Sequence, residues 1–153
     1  MSRQAMVYVF LALLCLVPSA AYAKPVSMLG TWIVKSDAPA PWIQSGDKPV
    51  LSDEKALIGH QMVFTKTKVS QPSPPLDPNC KPNYQVHNYT DQDLFEGGLT
   101  DPKKQAAALG FKGNTVPTMD TGCEGVAEFH FLDDDTVLFA LNNSIYRMER
   151  AKN

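Results

Sequence analysis

The stretch that decides the fold is Val126-Ala127-Glu128-Phe129-His130-Phe131-Leu132, then Asp133-Asp134-Asp135, Thr136-Val137-Leu138-Phe139-Ala140-Leu141, Asn142-Asn143 and Ser144-Ile145-Tyr146-Arg147-Met148-Glu149. In its first run Ala127, Phe129 and Phe131 alternate with Glu128 and His130. A period of two places these sets on opposite faces of a strand. The acidic triplet breaks that strand, Thr136–Leu141 starts the next, and Asn142-Asn143 suits a two-residue turn that needs positive φ. Ser144–Glu149 returns as a third strand. Three strands joined by tight turns make an antiparallel meander, and Thr115–Met119 extends it by one.

Upstream, Asp101-Pro102-Lys103-Lys104-Gln105-Ala106-Ala107-Ala108-Leu109-Gly110 predicts a helix. Asp101 stands at the cap, Pro102 at the first helical position and Gly110 at the left-handed stop. Asn83–Tyr89 reads as a strand. Gln71–Pro82 carries five prolines and Cys80; proline fixes φ and lacks a donor, so this segment is no central strand or helix. Gln61–Thr65 alternates as a strand, with Lys68-Val69-Ser70 as a second arm. Ser52–Gly59 predicts a short helix capped by Ser52 and closed by Gly59. Ala38–Pro49, which holds Trp42, reads as irregular. Met28–Val34 is the first strand, opened by Gly30. The fold class expected is α+β: an antiparallel, barrel-like sheet with two short helices and one disulfide.

The first 23 residues are expected to be a signal peptide. Arg3 supplies the positive start, Val7–Val17 the apolar run, and Ala21-Tyr22-Ala23 the small-x-small cleavage site. The apolar run is shorter than the roughly 20 residues a membrane span needs. Residues 24–153 then form one β-rich domain, exported to a periplasmic or extracellular space, with no membrane anchor. Of the three cysteines, Cys15 leaves with the leader. Cys80 and Cys123 enter an oxidising compartment and have no partner but each other. With 16 acidic against 14 basic groups and a net charge of −2, the chain gives no reason to expect nucleic acid as a partner.

Gly30-Thr31-Trp32 resembles the opening of a lipocalin-type (calycin-like) barrel, in which an arginine near the end of the last strand packs over the tryptophan. The resemblance implies that role for Arg147 or Arg150. A longer outline is similar to small exported bacterial proteins of unknown function. It comprises Gly30–Trp32, Ser52–Gly59, Pro82–Tyr84, Ala108–Gly110 and the segment from Asp133 to Arg150. It implies a fold and an exported location, and no activity.

No motif with a catalytic mechanism is present. There is no Gly-x-Ser-x-Gly, and no Gly-rich phosphate loop follows a strand. The expectation is a protein without enzymatic activity and without cofactor. His60, His87 and His130, with Glu128 sharing a strand face with His130, would be the ligands of any metal site, but their spacing matches no metal motif; three separate, half-exposed histidines are expected. Glu128 is the one carboxylate in an apolar context. Met28, Met62, Met119 and Met148 are scattered as core fillers are, and Asp133–Asp135 reads as a solvated turn rather than a calcium loop.

Two functions suit such a chain. One is a binding module whose barrel encloses a small hydrophobic ligand, lined by Trp32, Phe64, Phe129, Phe131 and Phe139 with Trp42 at the mouth. The other is a protein-interaction module, such as an inhibitor of a cell-wall hydrolase of lysozyme type or an immunity protein. It would use the loops at Ala38–Pro49 and Gln71–Asn79 around a solid core. A cavity inside the sheet favours the first, and a filled interior the second.

Overall fold

The computed structural model describes residues 26–43, 57–70, 80–125 and 128–152. The expected leader, most of the expected Ser52–Gly59 helix and the Gln71–Asn79 loop lie outside the described residues. Among these residues there are eight antiparallel strands: β1 (Gly30–Pro39), β2 (Gln61–Phe64), β3 (Val69–Ser70), β4 (Gln85–Tyr89), β5 (Val116–Asp120), β6 (Glu128–Asp133), β7 (Thr136–Leu141) and β8 (Ser144–Arg150). They lie in the order β3-β2-β1-β8-β7-β6-β5-β4. Sequence neighbours therefore pair except β3 with β4, and β1 also pairs with β8. Among the described residues one ladder of an up-and-down barrel is missing, that between β3 and β4, so the sheet is a strongly curled half-barrel.

Ring contacts measure the curl. Phe64 on β2 packs edge-on against Phe129 on β6, with centroids 5.3 Å apart. Those strands are four steps apart, about 19 Å on a flat sheet. Trp32 on β1 likewise meets Phe131 on β6 at 6.2 Å. Phe139 bridges Phe129 and Tyr146, at 5.6 and 5.0 Å. Trp32, Phe64, Phe129, Phe131, Phe139 and Tyr146 are each at most 3% exposed. Met28, Met62, Met119 and Met148 fill the gaps between them. The concave face is thus occupied by the sheet's own side chains.

Two devices hold the ends of the curl. Arg150 sits 4.3 Å over the Trp32 ring. It donates from Nη1 to the Leu29 carbonyl, from Nη2 to those of Ser27 and Asp134, and from Nε to Asp135 Oδ1. Of the two arginines considered, Arg150 takes the place over the tryptophan. Cys80, before β4, and Cys123, after β5, form the expected disulfide beside the β4–β5 ladder, and at the open seam the Tyr84 hydroxyl donates to the Thr65 carbonyl at 2.9 Å. The segment before β4 is thereby fastened to the turn after β2.

The convex face of β5–β8 carries a second core. Leu94, Phe95, Leu99, Ala106 and Phe111 pack there against Val116, Leu138 and Ile145. These residues come from a 3-10 turn at Leu94–Gly97 and a helix, α1, at Pro102–Leu109. Among the described residues there is one α-helix; of the expected Ser52–Gly59 helix only Leu57–Gly59 is described, a turn with Gly59 at φ +86°. One local expectation needs correction: Asp101 does not cap α1 through its side chain. Gln105 folds back instead, accepting from the Asp101 N–H and donating to Thr100 Oγ1. Gly110 closes the helix in the left-handed region, as expected.

β1 also runs five residues beyond the expected strand, and a bulge explains what that extension does. Val34 pairs with Met148, but Ser36 pairs with Arg147, so Lys35 is an extra residue. Before the bulge the even-numbered Trp32 and Val34 face inward. After it the even-numbered Ala38 lies opposite Ile145 and Ala40 joins the outer core. A bulge reverses the facing of everything that follows it. This delivers Trp42 to the outside of the half-barrel.

The disulfide spans 43 positions of sequence, and closing such a loop in the unfolded chain is worth roughly 4 kcal/mol. A C80A/C123A double variant is expected to retain the sheet by circular dichroism but to lose up to about 4 kcal/mol in urea unfolding. Unchanged stability would show that the β4–β5 hairpin is held without the crosslink.

Candidate functional site

The outer face bears a cleft of about 510 Å³ lined by Trp42, Phe95, Glu96, Gly98, Gly125, Glu128, His130, Ala140 and Asn142. Sheet register builds its floor. Thr118, His130 and Leu138 lie in one row across β5, β6 and β7, and Glu128 stands two residues from His130 on the same face. The wall is the 3-10 turn, with the Trp42 ring 5.9 Å from that of Phe95. A side chain at Gly98 would crowd this wall. A Cβ on it would lie 3.1 Å from both the Trp42 ring and the Phe95 carbonyl.

The wall is strained. Phe95, Glu96 and Gly97 have φ of +53°, +57° and +75°, a single left-handed turn in which two residues carry side chains. Each non-glycine residue costs about 1–2 kcal/mol in that region. His130 offsets the cost, since its Nε2 accepts the Phe95 N–H at 3.2 Å and its ring meets the Phe95 ring edge-on at 4.5 Å.

His130 is 1% exposed, a correction to the expected half-exposed residue. Its protonation follows from its partners. Nε2 accepts from a backbone donor, so the proton is on Nδ1, which donates to Thr118 Oγ1 at 2.9 Å. Thr118 in turn donates to the Val116 carbonyl. Both ring nitrogens are engaged and the ring is neutral, with burial pushing its pKa down to about 3. The 3.9 Å approach of Glu128 Oε2 to Nε2 is therefore no ion pair.

Glu128, half-buried, is the cleft's second polar group. Its Oε1 accepts from the Tyr89 hydroxyl at 2.7 Å, and that bond, followed by burial, pushes the Tyr89 pKa up to about 12. Its Oε2 is shielded from water and has no hydrogen-bond donor. An adjoining depression is lined by Tyr89, Gln92, Asp93, Glu96, Gly97 and Glu128, so the two clefts share Glu96 and Glu128. No lysine or arginine is among the described residues lining either.

The aromatic residues singled out in the sequence divide sharply. Trp32, Phe64, Phe129, Phe131 and Phe139 come together in the filled interior and line none of these clefts. Trp42 alone of that set reaches the surface site, where it is half-buried. The histidines do not converge. His60 is exposed at the turn before β2, and His87 stacks on Tyr89 at 5.6 Å. No group of three His, Cys, Asp or Glu able to hold a metal gathers among the described residues. Tyr89, Phe95, Glu96 and Gly98 were missed from sequence. Thr90–Thr100 has no periodicity, and the pair Gly97-Gly98 is its one mark of unusual backbone.

Compared with known proteins, the chain matches no family model, no curated protein and no solved structure.

A histidine whose folded pKa lies below its unfolded value of about 6.5 makes stability fall as pH drops, because the unfolded chain takes up the proton first. For His130 the window is pH 6.5 to about 3, with a slope of about 1.4 kcal/mol per pH unit from this group. Urea unfolding of H130Q, compared with wild type from pH 7 to 4, is expected to show a shallower loss by that amount. Equal slopes would show that His130 titrates normally.

Proposed function

We propose that the protein is an exported, non-enzymatic binding module that engages its ligand at the outer-face cleft beside Trp42 rather than inside the half-barrel. The observation that carries this is the filled concave face: rings on strands four steps apart are in contact. The space a barrel ligand would need is taken by Trp32, Phe64, Phe129, Phe131 and Phe139. The outer cleft, in contrast, joins an aromatic wall to a few placed polar groups, the usual make-up of a binding site. Its wall holds two non-glycine residues in a left-handed turn, and such strain concentrates at functional positions.

The absence of activity is supported by the state of the reactive groups. His130 has no free nitrogen to act as a base, and Cys80 and Cys123 are bound to each other. Export is supported by the signal-like leader together with the disulfide, which persists in oxidising compartments; among the described residues no helix is long and apolar enough to cross a membrane. Arg150 over Trp32, after a Gly30-x-Trp32 opening, supports kinship with lipocalin-type barrels. The open position of the cleft and the half-buried Trp42 favour a protein partner over an enclosed hydrophobic molecule.

Isolation of the mature protein from its native compartment, followed by mass spectrometry, tests this reading. A co-purifying protein or small molecule is expected, and it should be lost from a W42A variant that keeps wild-type stability. A ligand retained by W42A but released by F139A would place binding in the interior and overturn the proposal.

A further inference from the structure

We propose that His130 and Glu128 form an acid-operated latch on the turn Leu94–Gly97. When His130 takes up a proton, its Nε2 exchanges the Phe95 N–H for Glu128 Oε2, and the turn is released. The latch consists of the chain's own residues and does not depend on the binding reading above.

The structure shows the latched state. Nε2 accepts the Phe95 N–H at 3.2 Å, and Nδ1 donates to Thr118 Oγ1. The bond from Phe95 ties the sheet to a turn in which Phe95 and Glu96 stand at φ +53° and +57°. Such a conformation persists only where its surroundings enforce it. A proton on Nε2 converts the acceptor into a donor. Two N–H groups then face each other across the 3.2 Å gap, and the bond that enforces the turn is lost.

The partner for the released state is already in place. Glu128 stands two residues from His130 on the same face of β6, and its Oε2 lies 3.9 Å from Nε2. That oxygen is shielded from water and accepts no hydrogen bond. With His130 neutral, the two facing atoms are both acceptors and stay apart. With a proton between them, a side-chain movement of about 1 Å closes the gap to a charge-assisted hydrogen bond of roughly 2.7–2.9 Å. Neither strand has to shift. Glu128 Oε1 keeps the Tyr89 hydroxyl, and Nδ1 keeps Thr118.

The groups around the ring favour the cation once it has that acceptor. Register places Asp120 of β5 opposite Glu128. The row of His130 holds Thr118 of β5 and His87 of β4 on one side, and Leu138 of β7 and Arg147 of β8 on the other. Arg147 is engaged by Glu149 at 3.3 Å. The Tyr89 ring of β4 is 6.2 Å from that of His130. Asp93 and Glu96 come from the turn and its cap, while Phe111 and Ala106 bring no charge from α1 and the segment after it. Carboxylates thus outnumber cations there.

The direction of the response follows. The latched ring is buried and neutral, its pKa pushed down to about 3. A released ring bonded to a carboxylate holds its proton at higher pH. Release therefore grows as pH falls below the ordinary histidine value of about 6.5, and each pH unit in that window multiplies the released-to-latched ratio by up to about ten. Phe95 and Glu96 line the cleft beside Trp42, so release reshapes its wall.

Backbone and imidazole NMR of the oxidised protein between pH 7 and pH 3 tests the latch. A local transition is expected. The Phe95, Glu96 and Gly98 amides and the Trp42 indole N–H should change with the midpoint at which His130 Nε2 gains its proton. Exchange of the Phe95 amide hydrogen, corrected for the intrinsic effect of pH, should quicken at least tenfold. The Trp32 indole, which donates to the Met28 carbonyl at 2.7 Å, and the amides of β7 and β8 should stay as they are. E128Q can still accept from Tyr89 but lacks the receiving carboxylate; it should lower the midpoint by about one pH unit or more, a tenfold loss of proton affinity. H130Q should lose the transition and H87Q should keep it. A turn unchanged down to pH 3, an E128Q midpoint equal to that of wild type, or protonation of His130 only as the whole sheet unfolds would each overturn the proposal. A transition kept by H130Q or lost by H87Q would assign it to another group and overturn it equally. Co-purification with W42A is read separately, so the latch and the binding reading fail by different results.

Discussion

A sheet that curls until Phe64 meets Phe129 fills its concave face, among the described residues, with its own rings. This constraint governs the rest of the molecule. The strands are joined in simple sequence order, so curl brings distant strands together, and the price of curling is met by burying large rings from both halves of the sheet. Arg150 helps to hold the curl where β1 and β8 pair, clamping the backbone before β1 and the turn before β7 while covering Trp32. The Tyr84–Thr65 bond spans the seam where no ladder forms among the described strands, and the disulfide ties the start of β4 to the end of β5 beside it.

With the inside filled, the open cleft beside Trp42 lies on the outside, and it is there that we propose other molecules bind. The bulge at Lys35 reverses the facing of β1 and brings Trp42 to the convex side. The insertion between β4 and β5 supplies the opposite wall, held in a left-handed turn by one bond from Phe95 to His130. His130 is a positioning residue in this scheme: its neutral ring, locked by Thr118 on one side and Phe95 on the other, orients the turn that bears Glu96. Burial of the ring and strain in the turn are thus two sides of one arrangement, because protonating His130 would remove the acceptor that the Phe95 N–H requires.

What the sequence made legible was whatever depends on period and local chemistry. The three C-terminal strands, the Asn142 turn with its positive φ, the α1 helix and its Gly110 stop are all as expected. So is the pairing of the two cysteines. The interior face of β6 could be read directly, since Phe129 and Phe131 alternate with Glu128 and His130. The length of β1 could not, because a bulge breaks its alternation at Lys35 and Pro39 and Pro41 resemble loop residues. Nor could the cleft. Its wall is a strained turn with no periodic signal, and its floor depends on register between β5, β6 and β7. The aromatics were legible as a group, but whether they line a void or fill it depends on how far the sheet curls, which no local pattern records.

The central claim, a half-barrel filled by its own side chains, is tested most directly by measuring the stability of a Phe139→Ala variant in denaturant. Phe139 is fully buried between Phe129 and Tyr146, and truncating a packed phenylalanine costs about 3–5 kcal/mol. A loss in that range is the expected result. A loss below about 1 kcal/mol, with the sheet intact, would mean that the ring borders open space rather than packed neighbours, and the interior would again be a candidate binding chamber.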